Sequence, residues 1–129
     1  MDQSRHREAV SAATAACKAL NNSARSLTLL AQVLHQDPLQ LSTPKAKVCA
    51  EKALAADPTH LPAVYVLANI LEADNELQQA INLLTSNLAH HSTSKLHKML
   101  ADLYGKNHEE EKARFHISYT IHIQRTLIR

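Results

Sequence analysis

Nine histidines and two cysteines in a chain of 129 residues are the side chains that could bind a metal or act as nucleophiles. Their spacing argues against both. A single helix grips zinc with two imidazoles when they stand at i and i+4, one turn apart on one face. No two of these histidines are four residues apart. His90 and His91 are adjacent on a turn, and His97 falls on a different helix. His116 and His122 are six apart, which turns them about 120° away from each other around a helix. No cysteine accompanies them. No Ser-His-Asp or Cys-His constellation follows from the spacing, and a chain with one glycine has no glycine-rich loop to cradle a phosphate. Cys17 and Cys49 lie in helical patterns and read as small core residues of a reduced, intracellular chain. The sequence thus predicts no metal, no cofactor, no catalytic residue and no small-molecule substrate, which leaves the chemistry of recognition.

The elements that position any recognising residue must be helices. Hydrophobic residues make up 45% of the chain but aromatic ones only 3%, with alanine and leucine dominant, and both are strong helix formers. The stretch Leu61 to Ser92 follows Asp57-Pro58 and reads as two helices joined by Ala73-Asp74-Asn75-Glu76. Leu67, Ala68 and Leu71 form a stripe on the first; Ala80, Leu84 and Leu88 form one on the second. One such pair cannot bury both stripes, and the pattern recurs. Leu100-Ala101 stands 33 residues after Leu67-Ala68, and Leu30-Ala31 stands 37 before it. By the same steps Leu71 maps onto Tyr104 and Leu34, and Ala80 onto Ala113. The extra residues of the longer interval fall between His35 and Pro44, because Ala46, Ala50 and Ala53 again match positions 80, 84 and 87. Ala9, Ala13 and Ala16 repeat that spacing, as a second helix without its first. The predicted organisation is a single array over residues 1–129: a half repeat at 7–20, then repeats at 24–56, 61–91 and 94–126. A helix-turn-helix period near 34 is the tetratricopeptide length. The predicted fold is therefore all-α, a right-handed tetratricopeptide superhelix (an α-solenoid) of about seven antiparallel helices.

Local signals place the helix ends. Residues 1–6 are polar and expected to fray. A helix from Arg7 to Leu20 would turn Ala9, Ala13, Ala16 and Leu20 inward, with Ser23 as N-cap of the next helix, Ala24 to His35. Thr43-Pro44 fits an N-cap followed by a first-turn proline for Lys45 to Ala56. Gly105 is expected to end the helix Lys95 to Tyr104 in the left-handed region. The last helix begins near Glu109 and extends to about Thr126. It carries two apolar stripes, Ala113, Ile117, Ile121 and Ile128 on one side, Phe115, Tyr119, Ile123 and Leu127 nearly opposite. A terminal solenoid helix should offer water a polar face. The second stripe is therefore a candidate terminal interface for a further repeat or a partner protein, with self-association as the alternative. Lys112 to Arg129 contains four Lys or Arg and no acid, which admits nucleic-acid or membrane-surface binding. Apolar residues on both sides of the helix suit protein contact better. A net charge of +2 does not call for nucleic acid, and no apolar run is long enough to cross a bilayer.

The runs Leu27-Thr28-Leu29-Leu30-Ala31, Asp37-Pro38, Lys52-Ala53-Leu54, Ala63-Val64, Ile81-Asn82-Leu83-Leu84 and Leu96-His97-Lys98-Met99-Leu100-Ala101-Asp102, together with Ser118, carry a family resemblance. From about Arg7 to His122 the chain resembles the C-terminal tetratricopeptide array of the anaphase-promoting complex subunit seven family. The Leu-His-x-x-Leu-small-Asp run is its most distinctive part. The resemblance implies a non-catalytic scaffold segment of a large E3 ubiquitin ligase that controls mitotic progression, resident in nucleus and cytoplasm and contacting other subunits of that complex. It also implies a segment of a longer protein. Asn87 and Thr120 depart from the small residue usual where the second helix of a pair packs closest, and the family's acidic tail is missing. A peptide-binding adaptor of cochaperone or trafficking type, unrelated to ubiquitin transfer, is the competing reading.

In arrays of this kind the first helix of each pair lines a concave groove. The groove-facing positions are then Arg25, Thr28, Gln32, Tyr65, Asn69, Glu72, Lys95, Lys98 and Asp102. Tyr65 beside Asn69 offers an aromatic face and an amide to an extended peptide. A clamp for a terminal carboxylate needs Lys and Asn one turn apart. The corresponding pairs here, Thr28/Gln32, Tyr65/Asn69 and Lys98/Asp102, do not supply it. Each groove residue could equally be an ordinary solvated helix position.

Overall fold

The computed structural model describes residues 3–37, 43–107 and 110–128, with side chains described for 4–37, 43–107 and 114–123. Within these residues there are seven helices: α1 Gln3–Ala19, α2 Ala24–His35, α3 Thr43–Ala56, α4 Leu61–Ala73, α5 Leu77–Leu88, α6 Ser94–Lys106 and α7 Glu110–Ile128. The described chain is all-α, built of helix pairs of the tetratricopeptide kind. It divides within α4 into two compact units, Met1–Ile70 and Leu71–Arg129.

Two helices, α2 and α6, begin where a side chain satisfies the exposed backbone. Ser23 caps α2, its Oγ accepting from the Ser26 N–H at 3.2 Å. Thr93 does the same for α6 through the Leu96 N–H at 3.1 Å. The reversals after α1 and after α4 use asparagine. Asn21, Asn22 and Asn75 all have positive φ (52°, 54° and 59°). The Asn22 N–H reaches the Cys17 carbonyl and the Glu76 N–H the Leu71 carbonyl, both at 2.8 Å. These are the five-residue closures of Schellman ends, with Asn21 and Asn75 in the left-handed position. Gly105 was expected in that role and does not fill it. It lies inside α6, and no glycine has positive φ. The residues expected to fray also differ: α1 already begins at Gln3, and His6 is buried on it.

In the first unit α2 packs against both α1 and α3. The close approach rests on small residues: Ala31, Ala46, Ala50, Ala53 and Ala63 are all fully inaccessible to solvent. Cys17 and Leu27 join Ala53 and Ala63 in one cluster, with Leu30 and Leu54 against it. Leu20, expected inside, is instead 55% exposed. It follows the last turn of α1 and precedes two left-handed asparagines, so the chain has already left the packed face.

In the second unit α6 packs against α5 and α7, burying Ala80, Ile81 and Leu84 with Leu96, Leu100, Ala101 and Leu103. The two departures from small residues are accommodated locally. The Asn87 amide donates to the Leu83 carbonyl at 2.9 Å, and the Thr120 hydroxyl to the His116 carbonyl at 3.0 Å. Each polar group is thereby satisfied by its own helix.

Leu100 and Ala50 separate the two ways this packing can fail. Leu100→Ala opens a cavity and should lower stability by about 2–5 kcal/mol. Ala50→Leu overfills the alanine contact and should lower it by about 1–3 kcal/mol. Chemical denaturation should show both as shifted midpoints, and an unshifted midpoint for Ala50→Leu would contradict the close approach.

Candidate functional site

In the first unit, Arg25 and Gln32 are exposed on α2 and line a recess of about 590 Å³ with Leu20, Leu29, His60 and Pro62. Gln32 also borders a second recess, with His35, Val66 and Asn69. Asn69 is exposed and Tyr65 half-buried. Thr28 departs from its expected role: it is buried, and its hydroxyl donates to the Ala24 carbonyl at 2.7 Å. A threonine hydroxyl bonded back into its own helix has little left to offer a partner.

In the second unit, Lys95, Lys98 and Asp102 are exposed on α6. Lys98 and Asp102 border a recess of about 250 Å³, whose other wall is Ile117, Thr120 and Ile121 of α7. Glu72 is half-buried and pairs with Lys106, so its carboxylate is engaged rather than open to a partner. The pair is solvent-accessible enough that it adds little stability.

The terminal helix is rotated from the expected phase. Among the described side chains of α7, residues 114–123, His116, Tyr119, Thr120 and Ile123, at i, i+3, i+4 and i+7, are the buried or half-buried ones. Phe115 is 63% exposed on one flank. On the other flank Ile117 and Ile121 are 48% and 44% exposed. Of the expected terminal interface, Phe115 stands free of the core and Ile123 is half-buried. The Leu127 side chain lies outside the described residues, as do those of Ala113 and Ile128. Tyr119 belongs to the packing between helices instead. Its ring stacks on His97 with centroids 3.8 Å apart, and its hydroxyl bonds to the Ser92 Oγ at 2.9 Å.

A ring cluster that the spacing of histidines along single helices did not reveal explains the rotation. The Nδ1 atoms of His97 on α6 and His116 on α7 meet at 2.5 Å, one donating and the other accepting. The Ser92 Oγ lies 3.3 Å from the His97 Nε2. Tyr104 stacks on His116 at 5.6 Å, and Phe115 meets its edge at 5.2 Å. The recoverable signal was the run 116, 119, 120, 123, which a hydrophobicity ranking passes over in favour of isoleucine. Among the described residues no three of His, Cys, Asp or Glu converge as a metal site would require. Cys17 and Cys49 are free thiols, and burial, followed by the neighbouring Cys17, pushes the Cys49 thiol up. No described helix is long and apolar enough to cross a membrane.

The fold and these surfaces define the class, an all-α protein of tetratricopeptide-type helix pairs with small recesses bordered by exposed polar residues. No family model matches the chain. Over 107 residues, 83% of its length, it is 36% identical to anaphase-promoting complex subunit 7 of mouse and, to the same extent, of human. Over that stretch the chain is a relative of anaphase-promoting complex subunit 7. It spans 19% of the length of each of those proteins.

The histidine pair gives the α6–α7 contact a pH dependence. Burial holds the pKa of both rings below the ordinary value of 6.5, and His97 adds to the effect on His116. Tyr104 and Tyr119 are the titratable side chains seen stacked on the pair. Below pH 6.5 the unfolded histidines take up protons while the folded ones resist. Stability present above that pH is therefore lost as pH falls through the folded pKa values. Thermal unfolding between pH 8 and pH 5 should show the midpoint falling on acidification. His116→Gln should flatten that fall, and an equal slope in the variant would contradict the assignment.

Proposed function

We propose that this chain is a non-catalytic, protein-binding scaffold segment that acts within the anaphase-promoting complex, an E3 ubiquitin ligase controlling mitotic progression, in nucleus and cytoplasm. The observation that carries the reading is the 36% identity to subunit 7 over 107 residues. The geometry supports it. Closely packed helices hold side chains on adjoining helices at fixed separations, and each unit borders its recesses with exposed polar groups beside apolar ones. That is the composition of a surface made to bury part of a protein partner. The proposed contacts are Arg25, Gln32, Tyr65 and Asn69 in the first unit and Lys95, Lys98 and Asp102 in the second. Phe115, Ile117 and Ile121 form the apolar flanks of α7. The mechanism is geometric, since a stiff helical frame sets the angle at which partners are held.

The tagged chain expressed in cells should co-purify with other subunits of the complex. Recovery of chaperones alone would overturn the reading in favour of a cochaperone-type adaptor. Lys98→Glu and Tyr65→Ala should each lower recovery of those subunits about tenfold, the ~1.4 kcal/mol scale of one interface anchor. Unchanged recovery for both would remove these surfaces as the contact.

A further inference from the structure

The recess of the first unit has a chemistry of its own. Its walls are apolar: Leu20 and Leu29 are about half exposed there, and Pro62 closes one side. Among the described residues its polar lining is Arg25, Gln32 and His60 with the buried Ser26 and Thr28, and it includes no carboxylate. Arg25 is exposed and makes no hydrogen bond or ion pair among the described residues. It stands in the first turn of α2, where no acidic residue offsets the guanidinium or the helix's positive end. The nearby Asp57 carboxylate is occupied by the Thr59 hydroxyl at 2.7 Å and the Thr59 N–H at 3.0 Å, which hold its pKa below the ordinary value. It does not line the recess.

Two exposed leucines beside a cation with no counter-ion among the described residues are complementary to a particular kind of partner. We infer that this recess binds an acidic segment of a partner protein, seating one bulky apolar side chain between Leu20, Leu29 and Pro62 while a neighbouring carboxylate pairs with Arg25. The inference rests on the scaffold reading and specifies the chemistry of one of its partners. A carboxylate can meet the guanidinium through two parallel hydrogen bonds. Gln32 supplies both a donor and an acceptor for the backbone of an extended segment. A basic segment would meet Arg25 with like charge, and a neutral one would cover the guanidinium without pairing it. A volume of about 590 Å³ is within the range of sites that take a few side chains rather than a folded domain.

The test uses the full chain and two fluorescent hexapeptides of equal apolar content, Asp-Glu-Leu-Leu-Asp-Glu and Lys-Arg-Leu-Leu-Lys-Arg. The acidic peptide should bind, moving the amide resonances of Arg25, Leu29 and Gln32, and should bind more weakly as salt rises from about 50 to about 500 mM. The basic peptide should not bind. Arg25→Glu and Leu29→Asp, both at exposed positions, should each weaken the acidic peptide about tenfold or more, whereas Gln79→Glu, exposed on α5 and outside the recess lining, should leave it unchanged. No binding of the acidic peptide, equal binding of both, or insensitivity to Arg25→Glu would overturn the assignment. Co-purification of the unsubstituted chain with subunits of the complex is read separately, so the recess can fail while the scaffold reading stands.

Discussion

Helices can lie this close only where their facing residues stop at the β-carbon, and that constraint governs the structure. Ala31, Ala46, Ala50, Ala53 and Ala63 in the first unit and Ala80 in the second are all sealed from solvent. An alanine buries little apolar area, so each contributes modestly to the hydrophobic term. What it permits is proximity, and with it the dispersion contacts of many backbone and side-chain atoms at once. The larger residues, Ile70, Leu84, Leu96, Leu100 and Leu103, then fill the spaces that remain. The recesses exist because this packing is stiff. A looser core would let Leu20 and Leu29 settle inward and close the cavity they border.

The parts of the fold that repeat with helical periodicity were legible in the sequence. The stripes Leu27, Leu30, Ala31, Leu34 and Leu67, Ala68, Leu71 and Leu100, Ala101, Tyr104 are buried apart from the half-buried Leu30, because three or four residues per turn is a property of the backbone and survives any detail of packing. Features decided by a single residue were harder to read. Gly105 has the conformational freedom to end a helix but sits within one, while Asn21 and Asn75 take the left-handed positions. Asparagine tolerates that region nearly as well, and nothing in composition ranks one site above the other. Thr93 caps α6 through a hydroxyl that looks no different in sequence from the others nearby.

The surfaces were legible in part, for a related reason. Arg25, Gln32, Asn69, Lys98 and Asp102 are exposed as the helical count requires. Thr28 and Glu72 are not open, since one bonds back to its own helix and the other pairs with Lys106. On α7 the hydrophobicity scale misled. Isoleucine outranks histidine and tyrosine there, yet rings stack and hydrogen-bond, and that combination sets the face α7 turns to α6. His97 and His116 are 19 residues apart in the chain, so only the pairing of two helices could bring their nitrogens together.

The near-absence of glycine has a consequence for the denatured chain rather than the native one. Glycine enlarges the set of conformations an unfolded polypeptide can visit, and this protein has one in 129 residues. Two of its reversals, after α1 and after α4, are made by asparagine, whose β-carbon already narrows the available backbone angles. Less disorder is surrendered when such a chain collapses, so a modest gain from contact between methyl groups suffices to hold it. An alanine-lined interior and a glycine-poor backbone are two halves of one thermodynamic solution.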